Sequence, residues 1–307
     1  MRVDPNYVNN LVASLNQSQD STNKLTAQLS SGVRVNALSD DPVAAGQNVV
    51  LLNQISQDDS FTQSSNLVTG QLQVADSALG SVISELTTAI SLATQANNGT
   101  LNSNNVKSIS SQISGIRDEV QSLANTEYQG QYIFAGTASS TSPFTTTAST
   151  DSTSPDTTSY NGNTNVNYLE TPSGQKVQLN VPGSKIFLGE GTNSVFSALN
   201  SLINDYASGT VDTEQAVADT SALSTALNYV SQVRVTIDNS INQIKAATEA
   251  ATDQNTQLTT TQTNLMQADT ATVASDLAAG KTKQSALESV ISMLDQNSNS
   301  LFSKLTA

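Results

Sequence analysis

The chain of 307 residues contains no cysteine and no histidine. Disulfides, zinc ribbons, thiol nucleophiles and imidazole acid–base chemistry are therefore excluded. Charge is scarce too: Asp, Glu, Lys and Arg make up 12% of the residues, about half the usual share. What charge there is leans one way, with 12 basic against 26 acidic residues and a net charge of −14. That balance argues against nucleic-acid binding, which needs a basic stripe, and against docking on an anionic membrane. No apolar run approaches the ~20 residues needed to cross a bilayer, so membrane insertion is not expected. The opening MRVDPNYVNN has no hydrophobic signal core, so export by an ordinary signal peptide is not expected. No cofactor is implied.

What the chain has is helical periodicity at both ends. Stepping in alternating fours and threes gives Val273, Leu277, Gly280, Gln284, Leu287, Ile291, Leu294, Ser298, Leu301 and Leu305. Seven of these ten are large aliphatics, which makes an a/d seam of a helix packed along its length. Its partner is expected far upstream or in another molecule. Val8, Leu11, Leu15, Ser18, Thr22, Leu25 and Leu29 repeat the spacing upstream, after an Asp4-Pro5 helix start and before a stop at Gly32. Two such narrow seams make a thin hairpin, so both ends are expected to be largely unfolded in the free monomer and to order on self-association. The alternative is an intramolecular bundle in a stable monomer.

Between the ends, Asp40, Asp41 and Pro42 read as a second cap and first turn. The following helix carries Val68, Leu72, Ala75, Leu79, Val82, Leu86, Ala89 and Ala93 on one face, with Gly70 as a weak point. Asn97-Asn98-Gly99 makes a turn. A further helix with Val106, Ile109, Ile113, Ile116, Val120 and Leu123 is expected to end near Gly130, before a strand over QYIFAGT. From Ala138 to Gly191 Thr, Ser, Gly and Pro dominate, with alternation at Val166, Tyr168, Val177, Leu179 and Val181. That segment reads as a small, mostly antiparallel β insertion, and its Thr/Ser-rich lead-in fits a solvated loop equally. Val195–Tyr206 reads as a short helix. A last long helix carries Leu223, Leu227, Val230, Ile237, Ile241 and Ile244, with Arg234 on the seam. Thr252–Asn264 leads from it into the terminal seam.

The fold class expected is mainly α: an elongated antiparallel helical coiled coil or bundle built from both chain ends, with a small β-rich insertion. The domains expected are residues 1–40 with 265–307 (terminal coiled coil), 41–137 with 192–264 (helical rod) and 138–191 (outward β insertion).

Little in the sequence invites chemistry. Asp40-Asp41 is explained by capping, and Asp58-Asp59 and Asp118-Glu119 read as solvated helix surface. No acids converge as glycoside hydrolysis requires. Gly130-Gln131-Tyr132 leads into a strand and so fits no phosphate loop. Tyr128, Tyr132 and Phe134 fit either a carbohydrate platform or a hairpin packed on the helices, the second being the simpler. Arg34 reads equally as an interface salt-bridge donor or a solvated side chain.

The run LSSGVRVNALSDDPVAAG, Leu29 to Gly46, resembles the N-terminal block of the bacterial flagellin superfamily. Pro42 after the two aspartates, GQYIFAGT at Gly130–Thr137 and the segment from Tyr160 to Phe187 are more similar to its hook–filament junction branch than to filament flagellin. The resemblance covers most of the chain and is weakest at Ala138–Ser159. It implies a structural protein, not an enzyme, secreted through the flagellar type III export apparatus to the hook–filament junction. It also implies the partners: copies of itself in a helical layer, the first hook-associated protein below, flagellin above, and a cytoplasmic export chaperone on the C-terminal helix. The assembly interface is then expected on Val8, Leu11, Leu15, Leu25 and Leu29. The connector is Ser30, Ser31, Gly32, Arg34, Asp40, Asp41 and Pro42. The assembly and chaperone seam is Val273, Leu277, Leu287, Ile291, Leu294, Leu301 and Leu305. Flagellin itself is the alternative reading, and an adhesin or carbohydrate-binding protein on a helical stalk is the third.

Overall fold

In the computed structural model, the described residues are 5–147, 156–189 and 194–305, with the side chains of 5, 6, 8, 295 and 297–305 left aside. Six helices dominate. They are α1 (Pro5–Ser31), α2 (Pro42–Asn97), α3 (Ser103–Ala124), α4 (Val195–Ala207), α5 (Thr213–Met266) and α6 (Thr270–Leu305). Three antiparallel two-stranded ribbons lie between α3 and α4: β1 (Glu127–Tyr128) with β2 (Gln131–Tyr132), β3 (Phe144–Thr147) with β4 (Thr157–Tyr160), and β5 (Tyr168–Glu170) with β6 (Lys176–Gln178). The chain divides into two compact units, Met1–Ser56 with Gln254–Ala307 and Gln57–Asp253.

The Gln57–Asp253 unit holds the main core. Leu79, Val82, Leu86, Ala89 and Ala93 of α2 are fully buried with Ile113 and Val120 of α3, Leu199 and Leu202 of α4, and Leu223, Val230 and Ile244 of α5. Every one of these α2, α3 and α5 positions lies on the faces that the 3/4 spacing predicts. The α2 and α5 segments run antiparallel here. Asn97 donates to Thr220 Oγ1 at 3.2 Å, and Arg234 is held bidentately by Asp76 at 2.6 and 3.2 Å. Arg234 thus lies beside the seam, half-exposed, while Val233 takes the buried position.

Phe144, Val177, Ile186 and Phe187, from the described part of residues 138–191, share this core. Phe144 and Phe187 meet edge to face at 5.3 Å, Phe134 meets Phe187 at 5.6 Å, and Phe196 of α4 closes the cluster. Asn125 anchors the ribbon to α3: its side chain donates to Phe144 O at 2.8 Å and accepts from Phe144 N at 2.9 Å. Asn125 is also why α3 stops at Ala124 and not near Gly130. The expected strand over QYIFAGT is short for a related reason. Only Gln131 and Tyr132 pair, and Ile133, Phe134 and Ala135 then turn into the core before Gly136 at φ +71°.

One further expectation changes. Gly70 does not weaken α2, which is continuous; it leaves room for Tyr128, whose hydroxyl would lie 2.4 Å from a Cβ at that position. Thr252–Asn264 is helix, the last turns of α5. Thr252, Thr260, Thr261 and Thr263 donate their hydroxyls to the carbonyls four residues back, as in Thr260 to Thr256 at 2.8 Å and Thr263 to Thr259 at 2.8 Å.

Candidate assembly interface

The Met1–Ser56 and Gln254–Ala307 unit is built from α1, α6, and the adjoining ends of α2 and α5. Gln262 donates to Asn48 at 2.9 Å and Asn255 to the Ile55 carbonyl at 3.4 Å, so α2 and α5 run antiparallel here as well. α1 packs against α6. Their direction is set at one end of the pair, where the chain reverses twice.

Two reversals meet. Residues 32–41 link α1 to α2, and Gln267–Asp269 link α5 to α6. Val33 and Gln267 form an antiparallel bridge, Arg34 N donates to Met266 O at 2.6 Å, and Ala268 N donates to Gly32 O at 2.9 Å. The Arg34 side chain reaches Leu265 O at 3.3 Å as well as Asp41 at 3.1 Å. Gly32 makes the turn at φ +69°, a conformation that costs a Cβ-bearing residue. Val35, Ala44, Ala268 and Val273 are buried here.

The carboxylates divide the work. Asp41 caps α2, accepting from Ala44 N at 3.0 Å. That backbone hydrogen bond is the main reason its pKa lies below the usual carboxylate value, with Arg34 adding to it. Asp40 accepts from Asn36 N and Ala37 N at 3.1 and 3.0 Å and pairs with Lys24 of α1 at 2.9 Å. Lys24 is the main cause of its lowered pKa. Capping, expected of both residues, therefore belongs to Asp41, and Asp40 staples the connector to α1. Ser31 Oγ accepts from Val33 N at 3.1 Å, whereas Ser30 and Pro42 are exposed. Asp269 caps α6 through Ala271 N at 3.0 Å and Thr272. This third cap was missed in the sequence, although Asp269-Thr270 before a new apolar register was the available signal.

The two seams face each other but are only half covered. Leu11, Leu15 and Leu25 are half-buried, and Ser18 and Thr22 between them are buried. Leu277, Leu287, Ile291 and Leu294 are half-buried, and Val273 alone of the described C-terminal set is fully buried. Gly280 brings the helices close: a Cβ there would meet the Thr22 methyl at 3.8 Å. Leu29 lies off the seam at 39% exposure because Gln28 turns inward and donates to Arg34 O at 2.6 Å. The side chains of Val8, Leu301 and Leu305 fall outside the described residues.

Elsewhere, Phe134 is buried and Tyr128 and Tyr132 are half-buried, so these rings are packed as a hairpin on the helices. Asp118 is exposed as expected and pairs with the buried Arg117 at 2.8 Å. Asp58 is a correction: it is 3% exposed, and burial raises its pKa. Among the described residues no group of three or more acidic side chains is placed to hold a metal.

Residues 6–139 match the bacterial flagellin N-terminal helical region. Flagellar hook-associated protein 3 of Salmonella typhimurium is 36% identical over 134 residues, 43% of this chain and 42% of that protein. The same protein of Escherichia coli is 28% identical over 261 residues, 78% of this chain and 80% of its own. Several flagellins align over 38–44% of this chain. The crystal structure of flagellar hook-associated protein 3 from Legionella pneumophila shares the fold at a TM-score of 0.61 and 14% identity, covering 70% of this chain and 98% of that one. The chain thus aligns with flagellar hook-associated protein 3 over most of its length and with flagellins over less than half of it.

Proposed function

We propose that the chain is a structural adaptor subunit of the bacterial flagellum that joins hook to filament by helical self-assembly. The observation that carries this reading is the alignment with hook-associated protein 3 over 78% of the chain, against less than half for flagellins. The half-covered α1 and α6 seams supply the physical means. Aliphatic side chains that one partner helix leaves partly in water gain about 25 cal/mol for each Å² that a further partner removes.

In this proposal residues 1–40 with 265–307 form the inner assembly layer. Residues 41–137 with 192–264 form the supporting helices, and 138–191 faces outward. The neighbours are further copies of the chain, the first hook-associated protein on one side and flagellin on the other. An export chaperone holds α6 before the chain leaves through the type III apparatus, and the protein is secreted to the junction. The chain's work is assembly and not catalysis.

The test is location and abundance in isolated flagella. A junction subunit is scarce and lies between hook and filament. A chain that dominates the mass of the purified filament is a flagellin, and that outcome sinks the proposal.

A further inference from the structure

Two Asn-Gly pairs occur in the sequence, Asn98-Gly99 and Asn161-Gly162, and the fold treats them differently. Asn98 follows the last turn of α2; it and Gly99 are both exposed. Gly99 sits at φ +66°, with open space where a Cβ would be. Among the described residues the Asn98 side chain makes no hydrogen bond. Asn161 is exposed but tied. Its side chain donates to Thr145 Oγ1 at 3.0 Å and its backbone N–H to Pro143 O at 2.8 Å. Gly162 is walled in: a Cβ there would lie 2.5 Å from the Tyr160 ring and 2.8 Å from Ala135 O.

We infer that Asn98 is a site of spontaneous deamidation, and that the fold protects Asn161 from the same reaction. The Gly99 nitrogen attacks the Asn98 side-chain carbonyl carbon. A C–N bond forms, the side-chain nitrogen leaves as ammonia with the proton shed by Gly99, and a five-membered succinimide results. Water then opens the ring at either carbonyl to leave aspartate or isoaspartate. Glycine lets its nitrogen approach because no side chain obstructs it, and asparagine is the thermolabile partner. The succinimide needs the backbone to swing, which the open turn after α2 permits and the packed Asn161-Gly162 segment does not.

The product matters for its neighbours. Asn97 links two elements here, donating to Thr220 and accepting from the Tyr206 hydroxyl at 2.9 Å. A new carboxylate beside it stands at a helix C-terminus, where negative charge is unfavourable. It also joins a neighbourhood in which Asp205 and Asp219 already act on Tyr206.

The test is to age the purified full chain at mildly alkaline pH and map the mass gain of one unit by peptide fragmentation, natively and in denaturant. Asn98 is expected to convert at least an order of magnitude faster than Asn161 in the folded chain and at a similar rate in denaturant. Asn98→Gln should abolish the gain at that peptide and leave Asn161 unchanged, with the circular dichroism of both chains compared first. Equal native rates at the two sites, or conversion of Asn161 alone, would overturn the inference. So would a native Asn98 rate no higher than that of helical asparagines such as Asn66.

Discussion

Arg34 Nη1 lies 3.1 Å from Asp41 Oδ2, while the Arg34 backbone N–H donates to Met266 O at 2.6 Å. One residue thus serves the α2 cap with its side chain and the α5–α6 reversal with its backbone. The two roles separate by mutation. Arg34→Ala removes an exposed ion pair and should cost about 0–1 kcal/mol. Arg34→Pro removes the donor to Met266 and should cost about 1–3 kcal/mol, the penalty of an unmade backbone bond. Hydrogen exchange at Ala268 and Val33 reads the difference. Equal exchange in the two variants would assign the whole effect to the ion pair.

Gly280 faces Thr22 with room for one methyl. Gly280→Ala should slow exchange along α6, since alanine gains up to about 1 kcal/mol in a helix interior. Gly280→Leu overfills the α1–α6 contact and should speed it. If both variants behaved alike, the close approach at Thr22 would not govern the pairing.

Removing residues 273–307 should leave the Gln57–Asp253 unit folded, because its core contains none of them. Assembly and chaperone binding should be lost. Circular dichroism and motility measure the two outcomes separately, and full motility from the truncated chain would contradict the proposed role of α6.

The two units should respond to pH in opposite directions. Asp40, Asp41 and Asp269 have lowered pKa values. Their stabilisation is present above the unfolded value of about 3.9 and is lost as pH falls below it. Asp205 is raised to about 6, by burial first and then by Asp219. Its folded form holds the proton more tightly, so the stability it lends is complete below about pH 3.9 and is lost as pH rises through 6. Asp205→Asn should flatten the fall in stability of the Gln57–Asp253 unit between pH 4 and 7. Urea titrations followed by exchange in each unit would show it.

Asp58 adds a single buried carboxylate whose Oδ2 has no hydrogen-bond partner and whose pKa is raised by burial. Asp58→Asn should therefore raise Tm at pH 7, with the gain vanishing below about pH 4 where the parent is protonated in both states. An equal gain at both pH values would point to packing and not to charge.

The helical faces were legible because burial repeats with the period of the helix: Leu72 to Ala93 and Leu223 to Ile244 fall where spacing puts them. Asp58 was misread because the Asp58-Asp59 pair was taken for solvated charge, although Ile55 three residues before it and Phe61 three after it mark its buried face. Leu29 was misplaced for a different reason. The seam continues by spacing to Leu29, but Gln28, three residues after Leu25, takes the buried position through its hydrogen bond to Arg34 O. The bridge between Val33 and Gln267 was invisible, since it joins positions more than two hundred residues apart through backbone atoms that carry no sequence signal.

That bridge gives the two end helices a common zero mark. From it α1 extends over 27 residues and α6 over 36. The C-terminal helix therefore outreaches its partner by nine residues, or about 13 Å at ~1.5 Å per residue. Among the described residues, that overhang is a length of α6 with no α1 backbone beside it.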